Sequence, residues 1–489
     1  MAQELIEHVN RHADMQRATI FAQQLNGHSA LRSISYGDFH DLVSGWVCKL
    51  DNELPPGSTV SLYSPNSIDF LVVFAAILAS GRVAFPLHPH LTIDEVCDAY
   101  IQSNAKAVIT PASQLSNFVS DRCLTIDLDD HPPRSANCLD PQRAHSAGLY
   151  LQSSGTTGLP KIVHRMASSL DAVARTLTNI LTLTTEDCVL AVVPMCHSYG
   201  VENALLAPIY SGARVHIAQG FSLDVTIHEF EKEDVTIFPC VPFIFESLAS
   251  VDFKTTERLR HVFSAGAPLP LKIQNAFSER FGSPIEHLYG ASEVGTITFN
   301  PRHLAATHPN SVGKVVPGVE IRILDTKTPD INKPLEIGET GQIAVSSDAM
   351  LSDYVGHHKE DITDGFFLTG DLGSVDAEGY LYLTGRVKLQ IDVGGLKVNP
   401  LEVEQELTNL KGIREAVVLP LPVTSTLYRL RAVIVLDAET DSISVETIRT
   451  ALRTRLAPHK IPRVFEFHES LPRSPTGKIL RLEVPAPCE

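Results

Sequence analysis

The first half of the chain alternates short apolar runs typical of strands with longer apolar segments typical of helices. Residues 59–63 and 83–87 have the pattern of strands, and residues 67–79 between them have the pattern of a helix. Further strand-like runs follow at residues 107–110, 187–193, 214–217, 235–238 and 261–264. Such alternation predicts βαβ units, in which helices cover parallel sheets.

The pattern changes in the second half of the chain. Short alternating runs at residues 319–324, 341–345 and 380–383 are separated by Gly and Asp turns, which predicts an antiparallel sheet or a small barrel. Beyond Arg386 the pattern indicates a separate α+β unit, with helices at residues 401–410 and 445–456 and strands at 416–419 and 432–436. We therefore expect two domains, residues 1–387 and 388–489, with the boundary at Lys388.

Composition narrows the class of protein. The 489 residues suffice for two or three domains, and the formal net charge of -17 argues against a nucleic-acid binder, which needs a basic face. The longest apolar run, residues 70–79, is about half of the ~20 residues that a membrane helix needs. The eight cysteines are scattered without a CxxC pair, which favours a reduced, cytoplasmic location. For Cys196, beside His197, a small buried side chain is favoured over a nucleophile.

A loop rich in hydroxyl groups follows the apolar strand pattern at residues 149–151. Glycines let the backbone approach phosphate oxygens, and the hydroxyl groups add donors. The loop is not a Walker A motif, because Ile162 follows the lysine where that motif needs Ser or Thr. A polar surface hairpin is the alternative for this segment. The residues concerned are Ser153, Ser154, Gly155, Thr156, Thr157, Gly158 and Lys161.

Two further segments carry candidate nucleotide contacts. Tyr289 offers a flat face for a purine, and Glu293 offers a carboxylate for Mg²⁺ beside phosphates. The alternative here is a helix N-terminus that Ser292 caps. Asp371 follows a tight turn from which a carboxylate can accept both ribose hydroxyls, although aspartate is also a common turn residue.

A fourth segment, residues 475–478, lies close to the C-terminus and places Lys478 after a glycine turn. A strongly hydrated point charge there suits a phosphate. The alternative is a solvated surface lysine, which is the usual environment of this residue type.

Taken in this order, the four segments resemble the adenylate-forming superfamily, which includes acyl- and aryl-CoA synthetases, adenylation domains and firefly luciferase. The resemblance covers nearly the whole chain and implies an α/β fold. The implied fold has a large N-terminal domain, made of two α/β subdomains and a small β-barrel, and a small, mobile C-terminal lid. Lys388 falls at the family's hinge position.

The resemblance also implies a role for each motif. Residues 153–161 correspond to the phosphate loop, Ser292 and Glu293 to phosphate and Mg²⁺ contacts, and Lys478 to the catalytic lysine. Thr157 is a second candidate Mg²⁺ ligand. The remaining nucleotide and thiol positions are Gly266, Ala267, Pro268, Tyr289 and Gly290 for adenine, Asp371 and Arg386 for ribose, and Gly394 and Gly395 for the thiol channel.

The chemistry implied by the resemblance has two steps. A carboxylate attacks the α-phosphorus of ATP and releases pyrophosphate, and a thiol then attacks the acyl carbon of the acyl-AMP. Catalysis of this kind is positioning plus neutralisation of phosphoryl charge. The lid is expected to rotate at Lys388 between the steps, which withdraws Lys478 and presents Gly394 and Gly395.

Three departures from the family pattern stand out. Ser292 replaces the usual Thr and keeps the hydroxyl group. Leu389 and Gln390 lie where an acidic residue is common, so the hinge contacts differ. Residues 393–397 are more similar to the acyl-CoA branch than to the peptide-synthetase branch.

Residues 194–200 are similar to the segment that lines the acyl pocket in the family. Amino-acid-activating members have an Asp at the position of Ser198, and burying an unpaired ammonium is costly. An α-amino acid is therefore disfavoured, and an aryl or aliphatic acid is expected. His197 is expected to contact the acid during catalysis, with a merely packed core histidine as the alternative. The candidate pocket residues are His197, Ser198, Tyr199, Val201, Phe238, Val241, Ala265, Ala291 and Val294.

Several alternatives stay open at this stage. Coenzyme A is the expected acceptor, and the phosphopantetheine of an acyl carrier protein is the alternative; Arg429, Arg431, Arg453, Arg455 and Lys460 would then supply a basic docking face. A luciferase-type oxygenase, a non-catalytic relative and a P-loop kinase are the other functions considered. ATP and Mg²⁺ are the expected cofactors. We expect no membrane insertion, and a monomer or homodimer.

Overall fold

The computed structural model describes most of the chain. The described residues are 2–118, 123–153, 161–232, 234–251, 258–356, 361–393, 396–423, 428–438, 440, 442–473 and 479–485; for Ser153, Lys388, Asp392, Lys397 and Leu482 the description is limited to the backbone.

The helices of the described residues concentrate in the first 300 positions, and several begin at polar caps. Ser35 and Thr92 form capping boxes with Asp38 and Glu95, and Ser67 accepts a hydrogen bond from the backbone of Phe70. The α-helices are α1 Gln3–Gln16, α2 Tyr36–Glu53, α3 Ile68–Ala79, α4 Ile93–Gln102, α5 Ala112–Leu115, α6 Ala167–Ile180, α7 Ser198–Gly200, α8 Ala207–Ser211, α9 Leu223–Glu231, α10 Pro242–Ala249, α11 Leu271–Phe281, α12 Arg302–Ala305, α13 Pro400–Thr408 and α14 Val445–Arg453.

Helices of other types are short. A π-helix spans Val201–Leu206, and 3₁₀ helices span Arg143–Ser146, Val387–Leu389, Pro458–Lys460 and Arg481–Glu483. In the part of the chain that the structure describes, no helix combines the length and apolar character that crossing a bilayer requires.

Strands are numbered in chain order. They are β1 Ile20–Asn26, β2 Ser29–Ser35, β3 Thr59–Tyr63, β4 Val83–Leu87, β5 Ala107–Thr110, β6 Thr125–Asp127, β7 Gly148–Ser153, β8 Lys161–Met166, β9 Cys188–Ala191, β10 Arg214–Ile217, β11 Ile237–Cys240, β12 His261–Ser264, β13 Glu286–Ala291, β14 Gly295–Asn300, β15 Lys314–Val315, β16 Val319–Leu324, β17 Gly341–Ser347, β18 Asp353–Tyr354, β19 Ile362–Thr363, β20 Phe366–Val375, β21 Leu381–Arg386, β22 Ile391–Val393, β23 Leu396–Val398, β24 Ile413–Pro422, β25 Tyr428–Leu436 and β26 Val464–Phe467.

Two large sheets form the framework of the N-terminal part. The seven-stranded sheet has the order β18-β8-β7-β4-β3-β5-β6, and the nine-stranded sheet has the order β15-β14-β13-β12-β11-β9-β10-β1-β2. Strands β3, β4, β5 and β7 pair in parallel, as do β9 to β13. The strands are short and most of their residues are buried, which is typical of parallel strands covered on both faces.

A five-stranded antiparallel sheet, with the path β16-β17-β20-β19 and with β21 paired to β20, follows the two large sheets. Beyond it, β22 and β23 form a ribbon, and β24, β25 and β26 form a three-stranded sheet. The main apolar core draws on residues between Ala2 and Leu381, whereas two separate clusters beyond Ile391 form the core of the C-terminal part. The α/β fold with a smaller C-terminal domain is therefore confirmed, and its boundary at Lys388 stays a prediction.

Most predicted elements are present. The strands predicted at 59–63, 83–87, 107–110, 214–217, 261–264 and 319–324 have the predicted bounds. Others are displaced or shorter: the strand expected at 235–238 is Ile237–Cys240, the one expected at 187–193 is Cys188–Ala191, and the helix expected at 445–456 ends at Arg453. Helix α13 begins as predicted, because the Asn399 side chain accepts a hydrogen bond from Leu401 N and Pro400 occupies the first turn.

Candidate active site

Asp371 joins two other predicted nucleotide contacts at one point. It lies in β20 opposite Arg386 of β21, and Arg386 Nε donates to Asp371 Oδ1 at 2.5 Å. The Tyr289 hydroxyl of β13 donates to Asp371 Oδ2 at 2.7 Å. Burial, followed by the neighbouring Asp371 carboxylate, raises the pKa of Tyr289 well above its ordinary value, so its hydroxyl stays a neutral donor. Both carboxylate oxygens of Asp371 are thus held in a fixed orientation.

The residues predicted to bind adenine lie at the same edge of the nine-stranded sheet as Tyr289. Strands β12 and β13 are parallel neighbours, so the segment after β12 and the end of β13 leave the sheet side by side. Gly266 there has φ of +83°, in the left-handed region that favours glycine, and it is exposed together with Ala267 and Pro268. Gly290 is closely confined, since an added Cβ would lie 2.6 Å from Gly295 O.

Ser292 and Glu293 lie in the turn that joins β13 to β14. Ser292 Oγ donates to Ser198 Oγ at 3.1 Å, and the backbone oxygen of Glu293 accepts from Leu351 N at 2.6 Å. The alternative that Ser292 caps a helix is wrong, because the chain turns back as the antiparallel strand β14. Burial raises the pKa of the Glu293 carboxyl.

Lys161 is the first residue of β8, and Tyr354 connects it to the Ser292–Glu293 turn. Its Nζ lies 3.1 Å from Asp361 Oδ2 and 4.8 Å from the ring centre of Tyr354. The Tyr354 hydroxyl in turn donates to Glu293 Oε1 at 3.4 Å. Burial, and then the Glu293 and Asp361 carboxylates, raise the pKa of Tyr354, so it remains a donor. A lysine and a glutamate predicted to act on the phosphates are therefore linked by one tyrosine.

The segment that contains His197 forms the start of helix α7. The Nδ1 atom of His197 accepts from Tyr199 N at 3.4 Å, so the histidine caps the short helix. The Tyr199 hydroxyl donates to Phe263 O at 3.2 Å, and its ring is buried. Ser198 is 9% exposed and contacts Ser292, as described above. The structure thus brings the predicted acyl segment against the predicted phosphate and metal turn.

The remaining pocket candidates fall into two groups. Val241 and Ala291 keep partial exposure, whereas Val201, Phe238 and Val294 are fully buried. Phe238 packs edge-to-face on Phe230 and Phe245, with ring-centre distances of 5.0 and 6.1 Å, which makes it part of an aromatic core. Ala265 follows β12 and is buried. Their contact with the acid stays a prediction.

Several predicted residues lie outside the part of the chain that the structure describes. Strands β7 and β8 pair antiparallel from Gly148 to Ser153 and from Lys161 to Met166, so the predicted phosphate loop falls between the two strands of a hairpin. The backbone of Lys388 lies in the 3₁₀ helix Val387–Leu389. The predicted residues outside the described ranges are Ser154, Gly155, Thr156, Thr157, Gly158, Gly394, Gly395 and Lys478.

Sequence reasoning missed residues that connect these motifs. Tyr354 and Asp361 organise Lys161, and Arg165 forms a buried ion pair with Glu202 at 2.5 Å. No local pattern identifies them, because each acts through a partner far along the chain.

The chemistry available to this site is binding and charge neutralisation. Mg²⁺ prefers oxygen ligands and usually combines one or two carboxylates with phosphate and water. Glu293 fits this preference as a single carboxylate in a turn. Among the described residues, no group of three or more His, Cys, Asp or Glu is arranged to hold a metal, so a metal here would depend on nucleotide oxygens.

Comparison with known proteins agrees with this geometry. The chain matches the family described as AMP-binding enzyme over residues 7–355, and the AMP-binding enzyme C-terminal domain over residues 402–478. It is 27% identical over 481 residues to an oxalate–CoA ligase of Arabidopsis thaliana, with 92% of each chain covered. It is 29% identical over 453 residues to a 4-hydroxybutyrate–CoA ligase of Metallosphaera sedula, with 88% and 80% covered.

Solved structures share the fold. An ATP-bound MatB from Rhodopseudomonas palustris superimposes with a TM-score of 0.88 at 24% identity, covering 99% of this chain and 98% of that one. The o-succinylbenzoate CoA synthetase MenE of Bacillus subtilis, in complex with its acyl-adenylate, gives 0.86 at 23% identity, with 99% and 98% covered. Fold and relatives define the class of adenylate-forming acid–thiol ligases, on the acyl- and aryl-CoA synthetase branch. The chain belongs to the AMP-binding enzyme family.

Proposed function

We propose that this enzyme activates an aryl or aliphatic carboxylic acid, not an α-amino acid, and transfers it to coenzyme A. In the first step a carboxylate oxygen of the acid bonds to the α-phosphorus of ATP, the bond to the bridging oxygen breaks, and pyrophosphate leaves. In the second step the sulfur of the thiol bonds to the acyl carbon and AMP leaves. The observation that carries the proposal is the Tyr289–Asp371–Arg386 cluster beside the Ser292–Glu293 turn.

The nucleoside end of the reaction depends on Asp371. Its two oxygens accept from Arg386 and Tyr289, so the carboxylate is oriented before a nucleotide arrives. A preorganised charged acceptor binds ribose hydroxyls without the cost of ordering a side chain. Tyr289, together with the segment Gly266 to Pro268, would hold the purine at this edge of the sheet.

The phosphate end needs positive charge. Lys478 and a Mg²⁺ held by Glu293, with Thr157 as a second ligand, would neutralise the oxygens of the reacting phosphate. Mg²⁺ in this role supplies Lewis-acid stabilisation. Lys161, held by Asp361 and Tyr354, would contribute at the exit of the phosphate loop. Ser292 would donate to a phosphate oxygen in place of its present bond to Ser198.

The charges near the acyl segment support an acid without an ammonium group. Ser198 supplies no negative charge, and its Oγ accepts from Ser292. Glu202, four residues further on, is a buried carboxylate near this segment, and it is already paired with Arg165 at 2.5 Å. An amino-acid ammonium would compete with an arginine for that carboxylate. We therefore propose that His197 and the apolar pocket candidates receive an acyl tail without an ammonium group.

Ion pairing of the basic residues in the C-terminal part favours coenzyme A as the acceptor. Lys460 pairs with Glu402 at 2.6 Å, Arg455 with Glu406 at 3.0 Å, and Arg453 with Glu446 at 3.4 Å. These pairs neutralise most of the basic face that an acidic carrier protein would need. A fourth candidate is also neutralised, since Arg431 Nη2 donates to Glu466 Oε2 at 3.0 Å.

The two-step chemistry would use the C-terminal domain, residues 388–489, as a lid that turns at Lys388. Gly394 and Gly395 would then line the thiol channel after Lys478 has left. An ion pair of 2.9 Å between Lys272 and Asp437 joins the two parts in the present arrangement and would break in this movement. A cytoplasmic location is consistent with the reduced state of the described cysteines.

Product analysis tests this proposal. Purified enzyme is incubated with ATP, Mg²⁺ and an acid panel, first with hydroxylamine to trap acyl-AMP and then with either coenzyme A or a phosphopantetheinylated carrier. We expect AMP and pyrophosphate as nucleotide products, an acyl hydroxamate, and a thioester with coenzyme A. ADP as the product would instead indicate a kinase, and thioester formed on the carrier alone would favour the alternative acceptor.

A further inference from the structure

A fully buried arginine connects segments of the candidate site. The side chain of Arg165 in β8 is 0% exposed, and that of its partner Glu202 is 6% exposed. Arg165 Nη1 donates to Glu202 Oε1 at 2.5 Å. Strand β8 follows the phosphate loop directly, and Glu202 follows the acyl segment, so the pair joins two of the functional segments.

The same guanidinium also contacts a third functional segment, the turn that carries Ser292 and Glu293. Gly295 ends this turn with φ of +71°, and a Cβ added there would lie 2.7 Å from Val173 Cγ2, 3.2 Å from Ala349 Cβ and 3.3 Å from Arg165 Nη2. The turn therefore packs closely against the guanidinium and these two neighbouring side chains. A shift of Arg165 would be transmitted to the turn at close contact.

A hydrogen-bonded path reinforces this contact. Arg165 Nη2 donates to Ser169 O at 3.3 Å, and Ser169 Oγ donates to Met350 O at 2.9 Å. The next residue, Leu351, donates its backbone N–H to Glu293 O at 2.6 Å. Arg165 is thus linked to Glu293 both through packing at Gly295 and through the segment around Met350.

On the other side, Glu202 lies in an unusual helix. The π-helix Val201–Leu206 continues directly from α7, and Val201 N donates to His197 O at 2.8 Å. Asn203 Nδ2 donates to Tyr199 O at 2.9 Å, which ties the π-helix to the acyl segment. Single π turns occur frequently at functional sites. Anchoring Glu202 therefore anchors the segment that carries His197 and Ser198.

We propose that Arg165 and Glu202 form a positioning pair that fixes the acyl segment relative to the Ser292–Glu293 turn during adenylation. The inference rests on the proposed function, because it assigns the pair to the first step of that reaction. A buried ion pair costs desolvation and is often replaceable by apolar residues without loss of stability. The pair would instead contribute geometry, because the contacts of Arg165 hold the Ser292–Glu293 turn and the position of Glu202 in the π-helix holds the acyl segment.

The proposal predicts a loss that is confined to one half-reaction. Near-attack geometry between acid and α-phosphorus is sensitive to misplacement of about 1 Å, which can cost about 100-fold in rate. We expect the kcat of adenylation to fall about 10- to 100-fold when the pair is replaced. The KM for ATP should change less than kcat, because the Tyr289–Asp371–Arg386 cluster, which would bind the nucleoside, does not touch the pair in the described contacts.

The test uses the full-length double variant Arg165→Met/Glu202→Leu, which removes both charges and retains most of the volume. Folding is checked by thermal melting, and ATP–pyrophosphate exchange gives kcat and KM for the first step. Thioester formation from chemically prepared acyl-AMP and coenzyme A gives the second step alone. The variant Arg165→Lys, which retains the charge, is measured alongside and should recover part of the lost exchange.

A control variant removes a buried arginine elsewhere in the chain. Arg82 has 1% side-chain exposure and pairs with Asp51 at 2.9 Å, next to the start of β4 and away from the predicted contacts. Arg82→Met should lower the melting temperature and leave the ratio of the two half-reactions as in the wild type.

Each outcome decides the matter. A folded double variant with exchange reduced at least about tenfold, near-normal thioester formation and partial recovery in Arg165→Lys supports the proposal. Exchange reduced by less than about tenfold, or equal loss in both half-reactions, overturns it. If the double variant does not fold, Arg165→Lys decides alone: exchange and thioester formation reduced to the same extent, or neither reduced, overturns the pair's role. If the wild-type enzyme shows no ATP–pyrophosphate exchange with any acid of the panel, the proposed function itself is refuted, and this inference is refuted with it.

Discussion

The ribose contact gives the sharpest quantitative prediction, for the substitution Asp371→Asn. Asp371 is oriented by two donors, Arg386 Nε at 2.5 Å and the Tyr289 hydroxyl at 2.7 Å, and its side chain is 14% exposed. Asparagine retains the shape but carries no charge, and its amide group can accept at only one atom. The variant therefore loses at least one charge-assisted bond to the ribose while the local packing stays.

The expected loss of ATP affinity follows from the loss of at least one charge-assisted hydrogen bond. A hydrogen bond to a charged group contributes about 1.5–3 kcal/mol, and about 1.4 kcal/mol corresponds to a factor of ten. We predict that the KM for ATP in pyrophosphate exchange rises about 10- to 100-fold in Asp371→Asn. Tyr289→Phe is the matched control: it removes only a neutral donor to Asp371, so about 2- to 10-fold is expected.

A substrate analogue separates a ribose contact from general damage. Wild-type enzyme should use 2′-deoxy-ATP much less efficiently than ATP, because the carboxylate loses a hydroxyl partner. In Asp371→Asn this difference between the two nucleotides should largely disappear. If the variant discriminates between ATP and 2′-deoxy-ATP as strongly as wild type, Asp371 does not bind the ribose and the reasoning is refuted.

Three further predictions address the other parts of the site. Lys478→Ala should reduce acyl-AMP formation by at least about 100-fold while thioester formation from prepared acyl-AMP persists, and equal rates of acyl-AMP formation would remove the lysine from the mechanism. Burial raises the pKa of Glu293, so the carboxylate proposed to bind Mg²⁺ is lost as pH falls through that raised pKa; exchange rates should fall on the acid side, and the Mg²⁺ requirement should rise there. Glu293→Gln should lower exchange at all pH values and weaken that acid limb, and an unchanged profile would contradict the assignment. Lys460→Ala should leave the KM for coenzyme A within about twofold, since Glu402 already neutralises this lysine, whereas a large increase would place it in the acceptor site.

The fold was largely predictable because its parallel strands are short apolar runs with clear ends. The strands at 59–63 and 83–87 have the predicted bounds, since polar or glycine-containing segments flank them. Errors arose where apolar character continues beyond the hydrogen-bonded ladder. Val235 and Thr236 precede β11 and are buried without belonging to the strand. Their residue types fit a buried strand, so the predicted strand began two residues too early.

The candidate site was predictable as a set of motifs and not as a set of contacts. Ser292 followed by Glu293 also fits a helix start, and only the pairing of β13 with β14 shows that the segment is a hairpin turn. The Arg165–Glu202 pair joins positions that are 37 residues apart, and Tyr354 reaches Glu293 across 61 residues. Such contacts depend on how the sheets pack, which periodicity along the chain does not encode.

The central claim, that the chain forms acyl-AMP from a carboxylic acid, is tested most directly by ATP–pyrophosphate exchange. The panel should contain aryl, short aliphatic, long aliphatic, dicarboxylic and amino acids, with Mg²⁺ present throughout. The account predicts strong exchange with one class of aryl or aliphatic acid and none with α-amino acids. Absence of exchange with every class, in protein shown to bind ATP, would contradict the claim, and strong exchange with amino acids would contradict the interpretation of Ser198 and Glu202.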